Sequence, residues 1–308
     1  MIAVLGAGSW GTALSISFAE KQKVMLWHRD KEYADNMKHT SCNSKYLPEI
    51  KLPENIDITS DLEHAIKVSE IVFIAVPSSA LEDILQQIKP FNPQNIVLCS
   101  KGFAKSNLGF YSDLASQILP NSKIAVLSGP NFALEVAKKL PTVTSLASKH
   151  KEFEQIASKF STDTFLLKYT DDIIGTQLLG ALKNIYAIGA GYISKKYNSE
   201  NTMAAYLTKA TLELQKLLEK YDGKAATIFE PAGIGDLFLT CGGKTSRNFR
   251  FGYNFEENPE PSDTVEGLVA LKIISDKLGN HIANFELIYK LHRIIVNKEQ
   301  LNLPKGLI

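Results

Sequence analysis

The sequence predicts an α/β protein with an N-terminal doubly wound domain, built on a parallel sheet, and a second, all-α C-terminal domain. Over the first half of the chain, short apolar runs alternate with helical patterns, as in parallel sheets whose strands are buried on both faces. Over the second half, the apolar residues recur at helical spacing and no convincing strand is found. We therefore expect one domain over residues 1–170 and a second, all-helical domain over residues 171–308.

Seven apolar runs are the predicted strands of the first domain: Ile2–Leu5, Val24–Trp27, Ile71–Val76, Ile96–Ser100, Ile124–Leu127, Thr142–Leu146 and Phe165–Tyr169. Helical patterns such as Leu81–Ile88 and Gly109–Ile118 lie between several of them. This alternation is typical of βαβ units, in which ligands bind outside the carboxyl ends of the strands. The residues that follow each strand are therefore candidates for a site.

Four helices are predicted in the second domain: Asp171–Ser194, Ala204–Lys220, Thr264–Leu278 and Ala283–Val296. The first of them contains several glycines, Gly189 and Gly191 among them. A glycine inside a helix costs about 1 kcal/mol relative to alanine. Several in one helix therefore predict that another helix packs very closely against it.

A glycine motif, Gly6-x-Gly8-x-x-Gly11, joins the first predicted strand to the following helix. Gly6 allows the tight turn out of the strand, Gly8 lets the backbone come close to phosphates, and Gly11 lets the helix pack on the sheet. The free N–H groups at the start of that helix face the bound anion. In this context the motif predicts a Rossmann domain that binds the pyrophosphate of a dinucleotide.

The end of the second strand bears on which dinucleotide binds. An NAD-selective site usually places Asp or Glu there, whereas Arg accommodates the 2′-phosphate of NADP. Here the strand is followed by His28 and Arg29, and Asp30 lies where it would cap the next helix. Arg29 as a solvated surface charge is the alternative. The pattern favours NADP, or the use of both NADP and NAD.

Composition excludes several other classes of protein. The 308 residues carry a formal net charge of +1, which argues against a nucleic-acid partner bound by bulk electrostatics. No apolar run approaches the ~20 residues that cross a bilayer, so no membrane insertion is expected. The cysteines, Cys42, Cys99 and Cys241, suit neither a disulfide framework nor a metal site. A cytoplasmic protein without a metal fits these features best.

Lys183 is the leading candidate for a catalytic residue, because it lies in an otherwise apolar helical segment, Ala181-Leu-Lys-Asn184. Such a lysine either snorkels from the helix edge or is held in a cleft. In a cleft, desolvation and a second cation would lower its pKa towards neutrality, which suits a general acid–base.

Further segments carry groups where a substrate could bind. Lys101 and Gly129 follow predicted strands. Ser246-Arg247-Asn248 offers hydroxyl, guanidinium and amide donors, either as a phosphate clamp or as an ordinary polar loop. Asp236 is either a helix cap or an acceptor for a substrate hydroxyl, whereas Cys241 reads as a packing residue.

Taken together, the motifs resemble bacterial NAD(P)-dependent glycerol-3-phosphate dehydrogenases, in family order and over nearly the whole chain. They are Gly6–Ala13, Tyr46–Pro48, Ser100–Gly102, Ser128–Ala133, Ala181–Asn184, Gly235–Leu237, Leu239–Cys241, Ser246–Asn248 and Val265–Gly267. The resemblance implies NAD(P)H-dependent interconversion of dihydroxyacetone phosphate and sn-glycerol 3-phosphate, supplying glycerophospholipid synthesis. It further implies a phosphorylated triose as the substrate, and a cytoplasmic homodimer.

The resemblance also implies roles for individual residues, with Lys183 as the proton acceptor. The implied substrate-binding residues are Lys101, Gly129, Asn131, Lys183, Asp236, Ser246, Arg247 and Asn248. The implied cofactor-binding residues, including the glycine motif, are Gly6, Gly8, Ser9, Trp10, Gly11, His28, Arg29, Lys101, Ala133, Arg247, Val265 and Glu266. Two features depart from the family pattern. Asn131 stands where many members carry Ser, and Gly242-Gly243 replace hydroxyl-rich residues, which predicts a more flexible loop before Ser246.

Two other functions are compatible with a dinucleotide-binding domain. A β-hydroxyacid dehydrogenase of the same architecture would pair its catalytic lysine with an asparagine four residues later, where this chain has Ala187. A dinucleotide sensor without turnover would need neither a buried lysine nor a phosphate clamp. Both alternatives make distinct predictions for substrate turnover.

Overall fold

The computed structural model describes residues 1–104, 109–261 and 265–299, which divide into two compact units. The first unit comprises Met1–Lys101 and Tyr111–Ile173, and the second comprises Gly102–Phe110 and Ile174–Ile308. The sequence-based boundary places Phe103 and Phe110 in the first domain, whereas both pack with the helical unit. The rings of Phe103 and Phe110 are buried in that unit's apolar core, which accounts for the difference.

The first unit is built on an eight-stranded sheet. Its strands are β1 (Ile2–Leu5), β2 (Val24–Trp27), β5 (Ile56–Thr59), β6 (Ile71–Ile74), β7 (Asn95–Leu98), β8 (Lys123–Ser128), β9 (Thr142–Ala147) and β10 (Phe165–Thr170). The spatial order is β10-β9-β8-β7-β6-β1-β2-β5. A separate antiparallel hairpin pairs β3 (Cys42–Asn43) with β4 (Leu47–Lys51). The seven predicted strands are confirmed, with small shifts at their ends.

The direction of the last two strands was not predicted. Neighbours from β5 to β8 are parallel, whereas β9 runs antiparallel to β8 and parallel to β10. The sheet is therefore a doubly wound parallel sheet with two reversed strands at one edge. The apolar composition of Thr142–Ala147 indicates burial but does not encode direction.

Helices pack on this sheet and connect its strands. They are α1 (Ser9–Phe18), α2 (Lys31–Thr40), α3 (Leu62–Lys67), α4 (Leu81–Ile88), α5 (Tyr111–Ile118), α6 (Ala133–Ala137) and α7 (Glu152–Phe160). Asp30 accepts a hydrogen bond from Tyr33 N at 2.9 Å, and the predicted cap of α2 is confirmed. The predicted helix Leu81–Ile88 has the bounds of α4.

The regular secondary structure of the second unit is helical over the described residues. Its α-helices are α8 (Ile173–Tyr197), α9 (Glu200–Lys220), α10 (Asp236–Cys241), α11 (Arg247–Asn254), α12 (Glu266–Leu278) and α13 (Glu286–Ile295). The four predicted helices correspond to α8, α9, α12 and α13, although Thr264 lies outside the described residues. The short helices α10 and α11 were not predicted. Among the described helices, none has the length and apolar character needed to cross a membrane.

The predicted close packing of the first helix is confirmed where α8 crosses α11. A Cβ atom added to Gly191 would lie 2.0 Å from Phe249 O, and one added to Gly252 would lie 1.9 Å from Ile188 O. The two backbones therefore touch, which only glycine allows at these positions. This crossing fixes the start of α11 near the middle of α8.

Candidate active site

The glycine-rich turn after β1 has the conformation expected for binding a pyrophosphate. Gly6 has a φ of +109°, and a Cβ atom there would lie 2.8 Å from Ala75 O. A Cβ atom on Gly11 would lie 2.0 Å from Gly6 O, so the close approach at Gly11 is between helix α1 and the turn. Both positions require glycine for reasons of backbone geometry.

Gly8 differs from Gly6 and Gly11, because the protein itself leaves space for a side chain there. It adopts an ordinary extended backbone as the N-cap of α1, and its Cβ atom would meet nothing within 4 Å. No side chain caps the first turn of α1, so its N–H groups are available to an anion. An open approach beside uncapped N–H groups fits the pyrophosphate of a dinucleotide.

Ser9 and Trp10 open helix α1 next to this turn. Ser9 Oγ donates to Tyr46 O at 3.4 Å, which ties the helix start to the β3–β4 hairpin. The Trp10 ring packs edge-on against Phe165 with centroids 6.3 Å apart. Trp10 is thus half-buried within the first unit, in addition to any contact with a ligand.

His28 and Arg29 directly follow strand β2, as expected from the sequence. His28 Nδ1 accepts from Asp30 N at 3.1 Å, and the rings of His28 and Tyr33 lie 4.9 Å apart. Arg29 is exposed and forms no hydrogen bond or ion pair with any residue that the structure describes. No carboxylate occupies the strand end, because Asp30 is used as the cap of α2.

Lys101, Gly129, Asn131 and Ala133 follow strands β7 and β8 within the first unit. Lys101 Nζ donates to Gly129 O at 3.4 Å, which joins the two strand ends. Asn131 Nδ2 donates to Thr142 Oγ1 at 3.0 Å, and that hydroxyl donates to Pro130 O at 3.0 Å. The asparagine that departs from the family pattern therefore orders the Gly-Pro turn. Ala133 is half-buried and begins α6.

Lys183 lies on α8 and is only 7% exposed, so it does not snorkel into solvent. Its Nζ donates to Asp236 Oδ1, with which it forms an ion pair, and to Thr240 Oγ1 at 3.0 Å. A second cation beside Lys183 was one possibility considered from the sequence, whereas the neighbour in the structure is a carboxylate. A lysine inside a protein usually has its charge paired with an acidic group and its N–H groups hydrogen-bonded.

Asp236 reaches Lys183 from the first residue of α10. A π-helical turn, Pro231–Gly235, precedes it, and such turns are frequent at functional sites. Thr240, one helical turn later, donates to Asp236 O at 2.6 Å, so its oxygen can accept from Lys183. Thr240 was not singled out in the sequence. Its spacing of four residues from Asp236 is the signal that could have identified it.

A second buried network surrounds Asn184, the neighbour of Lys183. Its Nδ2 donates to Glu266 Oε2 at 3.3 Å, and its Oδ1 accepts from Asn248 Nδ2 at 2.9 Å. Asn248 Oδ1 in turn accepts from Gly267 N at 2.9 Å, in the first turn of α12. Val265 is the residue that precedes this helix. Asn248 therefore has one of its two amide hydrogens left to donate to a ligand. Asn184 is a further site residue that the sequence argument did not assign.

Ser246 and Arg247 form the start of α11. Ser246 Oγ caps the helix by accepting from Phe249 N at 3.3 Å. The N–H groups of Arg247 and Asn248 have no acceptor within the helix, so this end attracts anions. The guanidinium of Arg247 is exposed and unpaired among the described residues. An exposed guanidinium beside the N–H groups of a helix start is chemically suited to binding a phosphate.

The loop before Ser246 is held by Arg250. Its Nη1 donates to Lys244 O at 2.6 Å and to Thr245 O at 3.1 Å. The loop that contains Gly242 and Gly243 is thus held at its end by two hydrogen bonds from one side chain, which the sequence did not indicate.

Cys241, at the end of α10, packs in the apolar core of the helical unit. Burial raises the pKa of its thiol. The thiolate is therefore disfavoured, and its interpretation as a packing residue is confirmed.

The comparisons with known proteins agree with the motifs. Residues 1–154 match the model of the NAD-dependent glycerol-3-phosphate dehydrogenase N-terminus, and residues 172–303 match the model of its C-terminus. A glycerol-3-phosphate dehydrogenase [NAD(P)+] of Neorickettsia sennetsu is 37% identical over 94% of this chain and 88% of the relative. One from Leptospira biflexa is 33% identical over 100% and 97%, respectively.

A solved structure gives the same result. The crystal structure of glycerol-3-phosphate dehydrogenase from Coxiella burnetii superposes with a TM-score of 0.88 at 34% identity, covering 97% of this chain and 95% of that one. The family resemblance found in the sequence is thus confirmed over both halves of the chain. The chain belongs to the NAD-dependent glycerol-3-phosphate dehydrogenase family.

Proposed function

We propose that this protein interconverts dihydroxyacetone phosphate and sn-glycerol 3-phosphate with NADPH or NADH. The observation that carries the proposal is a buried lysine in the same unit as an anion-binding helix start. Lys183 is held by Asp236, and the α8–α11 crossing places Asn184, its neighbour, in contact with Asn248, next to Arg247. A proton donor and a phosphate site suit a small phosphorylated ketone.

The start of α11 would bind the substrate phosphate. Arg247 can donate two parallel hydrogen bonds from its guanidinium, and the N–H groups of Arg247 and Asn248 add the positive end of the helix. Ser246 and Asn248 contribute neutral donors from either side. Binding energy from the phosphate, which does not react, would thereby orient the carbonyl.

Lys183 would donate a proton to the carbonyl oxygen as that oxygen becomes a hydroxyl, and its neutral amine would take the proton back in the reverse reaction. When bound, the reduced nicotinamide supplies the hydride for the carbonyl carbon. Asp236 and Thr240 would orient the ammonium. Lys101 is proposed to add positive charge next to the developing alkoxide, and Gly129 and Asn131 to bind the substrate.

The first unit would hold most of the dinucleotide. The glycine-rich turn and Ser9 would bind the pyrophosphate, since the turn offers open space and uncapped N–H groups. Arg29 would bind the 2′-phosphate of NADP, with His28 beside it at the adenosine end. The remaining proposed cofactor contacts are Trp10, Lys101, Ala133, Arg247, Val265 and Glu266.

A steady-state assay with the purified protein tests the proposal. It would follow NADPH and NADH oxidation with dihydroxyacetone phosphate, unphosphorylated dihydroxyacetone, and, in the oxidative direction, a β-hydroxyacid. We expect turnover of the phosphorylated ketone and very little of the other two. Turnover of the β-hydroxyacid alone would favour the other dehydrogenase class, and binding of NADPH without any turnover would favour a sensor.

We also propose that the protein supplies glycerophospholipid synthesis as a cytoplasmic homodimer. The three cysteines are free, which suits a reducing compartment. Light scattering on the purified protein would check the dimer, because a monomer has a mass of 34.0 kDa.

A further inference from the structure

Asn43, in the short strand β3, lies behind the glycine-rich turn of the first unit. It is 0% exposed, although asparagine is usually found at the surface. It lies in no recognised motif, and it belongs to neither set of proposed ligand-binding residues. A buried amide needs partners for its polar groups, and those partners show what the residue does.

The amide of Asn43 makes three hydrogen bonds. Its Nδ2 donates to Ala7 O at 2.9 Å and to Thr12 Oγ1 at 2.7 Å. Its Oδ1 accepts from Tyr33 OH at 2.6 Å. Because the carbonyl of Ala7 can only accept, the nitrogen must face it, so both amide hydrogens are used.

Two of these bonds act directly on the pyrophosphate-binding turn. Ala7 stands between Gly6 and Gly8, and its carbonyl shares a peptide plane with the N–H of Gly8. In a trans peptide the two groups point in opposite directions, and the described chain has no cis peptide. Holding Ala7 O towards Asn43 therefore turns the N–H of Gly8 away from Asn43. Thr12 lies in the first turn of α1, so the same amide joins turn and helix.

The other side of Asn43 is anchored to the hairpin and to α2. Tyr33, on α2, donates to Asn43 and accepts from Lys45 N at 3.2 Å. The next residue, Tyr46, accepts from Ser9 Oγ through its carbonyl at 3.4 Å. The segment after Asn43 is thus bonded to the start of α1 a second time.

We propose that Asn43 is a positioning residue for dinucleotide binding. It fixes the peptide between Ala7 and Gly8 against the start of α1, so that the N–H groups which bind the pyrophosphate are oriented before the cofactor arrives. The inference rests on the proposed function only in that the turn binds NAD(P). N–H donors that are already oriented raise the affinity of the site for the cofactor, because less conformational freedom is lost on binding.

The test is Asn43→Asp, which keeps the size and shape of the side chain but removes both amide donors. The control is Asn55→Asp at an exposed asparagine, because Asn55 Nδ2 donates to Ala19 O at 3.1 Å, at the opposite end of the same helix. Dissociation constants for NADPH alone would be measured by fluorescence titration. KM for each substrate and kcat would be measured alongside, with thermal unfolding to check the fold.

We expect Asn43→Asp to raise Kd and KM for NADPH about tenfold or more, since two hydrogen bonds to the turn and helix are lost. KM for dihydroxyacetone phosphate and kcat at saturating NADPH should change by less than about twofold. Asn55→Asp should leave Kd unchanged within the same limit. Equal effects of the two substitutions, or a wild-type Kd for Asn43→Asp, would overturn the proposal.

If Asn43→Asp does not fold, Tyr33→Phe decides, because it removes the hydroxyl that donates to Asn43 and accepts from Lys45 N. It should raise Kd for NADPH about two- to fivefold, and an unchanged Kd would overturn the proposal. The titration contains no second substrate. A wild type that binds NADPH but does not reduce dihydroxyacetone phosphate therefore contradicts the proposed function alone, whereas one that fails to bind NADPH contradicts both.

Discussion

Lys183 and Asp236 form a buried ion pair that joins the middle of α8 to the first residue of α10. Each side chain would be costly to bury alone, and removing one partner of such a pair typically destabilises a protein by about 3–5 kcal/mol. The pair is further held by Thr240. A charged site kept at this cost is expected to have a function, which we assign to proton transfer.

The glycine contact between α8 and α11 should be essential for stability. In Gly191→Ala, the new methyl group would lie 2.0 Å from Phe249 O, so the helices must separate. We expect a loss of about 1–3 kcal/mol in the free energy of unfolding, despite the better helix propensity of alanine. Urea unfolding would measure it. The control is Gly243→Ala, whose Cβ atom would meet nothing within 4 Å. Equal stability of the two variants would contradict this account.

Arg247 should act on the phosphate of the substrate. Arg247→Lys keeps the charge but loses the fork of donors, so kcat/KM for dihydroxyacetone phosphate should fall about 10- to 100-fold. The weak activity on unphosphorylated dihydroxyacetone should barely change, since it lacks the group being bound. Arg293→Lys on α13 serves as a control for the exchange itself. A loss by the same factor on both substrates would mean that Arg247 acts on the fold or the cofactor.

Arg29 should distinguish the two cofactors. In Arg29→Ala, the cation that is proposed to face the 2′-phosphate is removed, so KM for NADPH should rise about tenfold while KM for NADH stays close to wild type. Lys38→Ala, which removes an exposed cation from the last turn of α2, is the matched control. Equal changes for NADPH and NADH would identify Arg29 as an ordinary surface charge.

Glu213 should make stability depend on pH. The carboxylate is buried in α9, where it accepts from Leu287 N at 2.9 Å, Ile288 N at 3.1 Å and Tyr186 OH at 3.0 Å. Burial raises the pKa of Glu213 above its usual value of 4.5, against the effect of these hydrogen bonds. The folded state therefore binds this proton more tightly than the unfolded state. Its contribution is full below pH 4.5 and is lost as the pH rises through the raised pKa.

The measurement is urea unfolding of the wild type and Glu213→Gln from mildly acidic to mildly alkaline pH. The wild type should lose stability relative to Glu213→Gln as the pH increases. Glu152→Gln is the control of opposite sign, because the hydrogen bond from Lys123 lowers the pKa of Glu152. Its smaller contribution is lost as the pH falls. A difference between wild type and Glu213→Gln that is constant with pH would contradict the assignment.

The sequence predicted the buried parts of the fold better than its exposed parts. Strands such as β1 and β6 are continuous apolar runs, because parallel strands are covered on both faces. The edge strand β5 has only four residues that alternate Ile-Asp-Ile-Thr, too short a pattern to be distinctive. The β3–β4 hairpin is polar and short, which is why Asn43 was not considered.

Within the site, the residues in recognisable motifs could be found and their partners could not. Lys183 stands out as a charge in an apolar helix, but its pairing with Thr240 depends on α10, which follows an irregular π-helical turn. Asn184 likewise acts through Asn248 and Glu266, which are distant in the sequence. Such long-range contacts depend on tertiary packing. The local periodicity of a sequence carries no information about them.

The most direct test of the central claim is kcat for Lys183→Met, measured beside the wild type with NADPH and dihydroxyacetone phosphate. Methionine keeps the packing of the side-chain stem and removes only the ammonium. Loss of a positioned general acid–base typically lowers the rate about 10²- to 10⁴-fold.

Since Asp236 would then lack its partner, Lys183→Met with Asp236→Asn provides a variant without an unpaired buried carboxylate. We predict a fall of this size in both variants with unchanged NADPH affinity by fluorescence titration. Turnover close to that of the wild type in either folded variant would contradict the assignment of Lys183 as the proton-transfer residue.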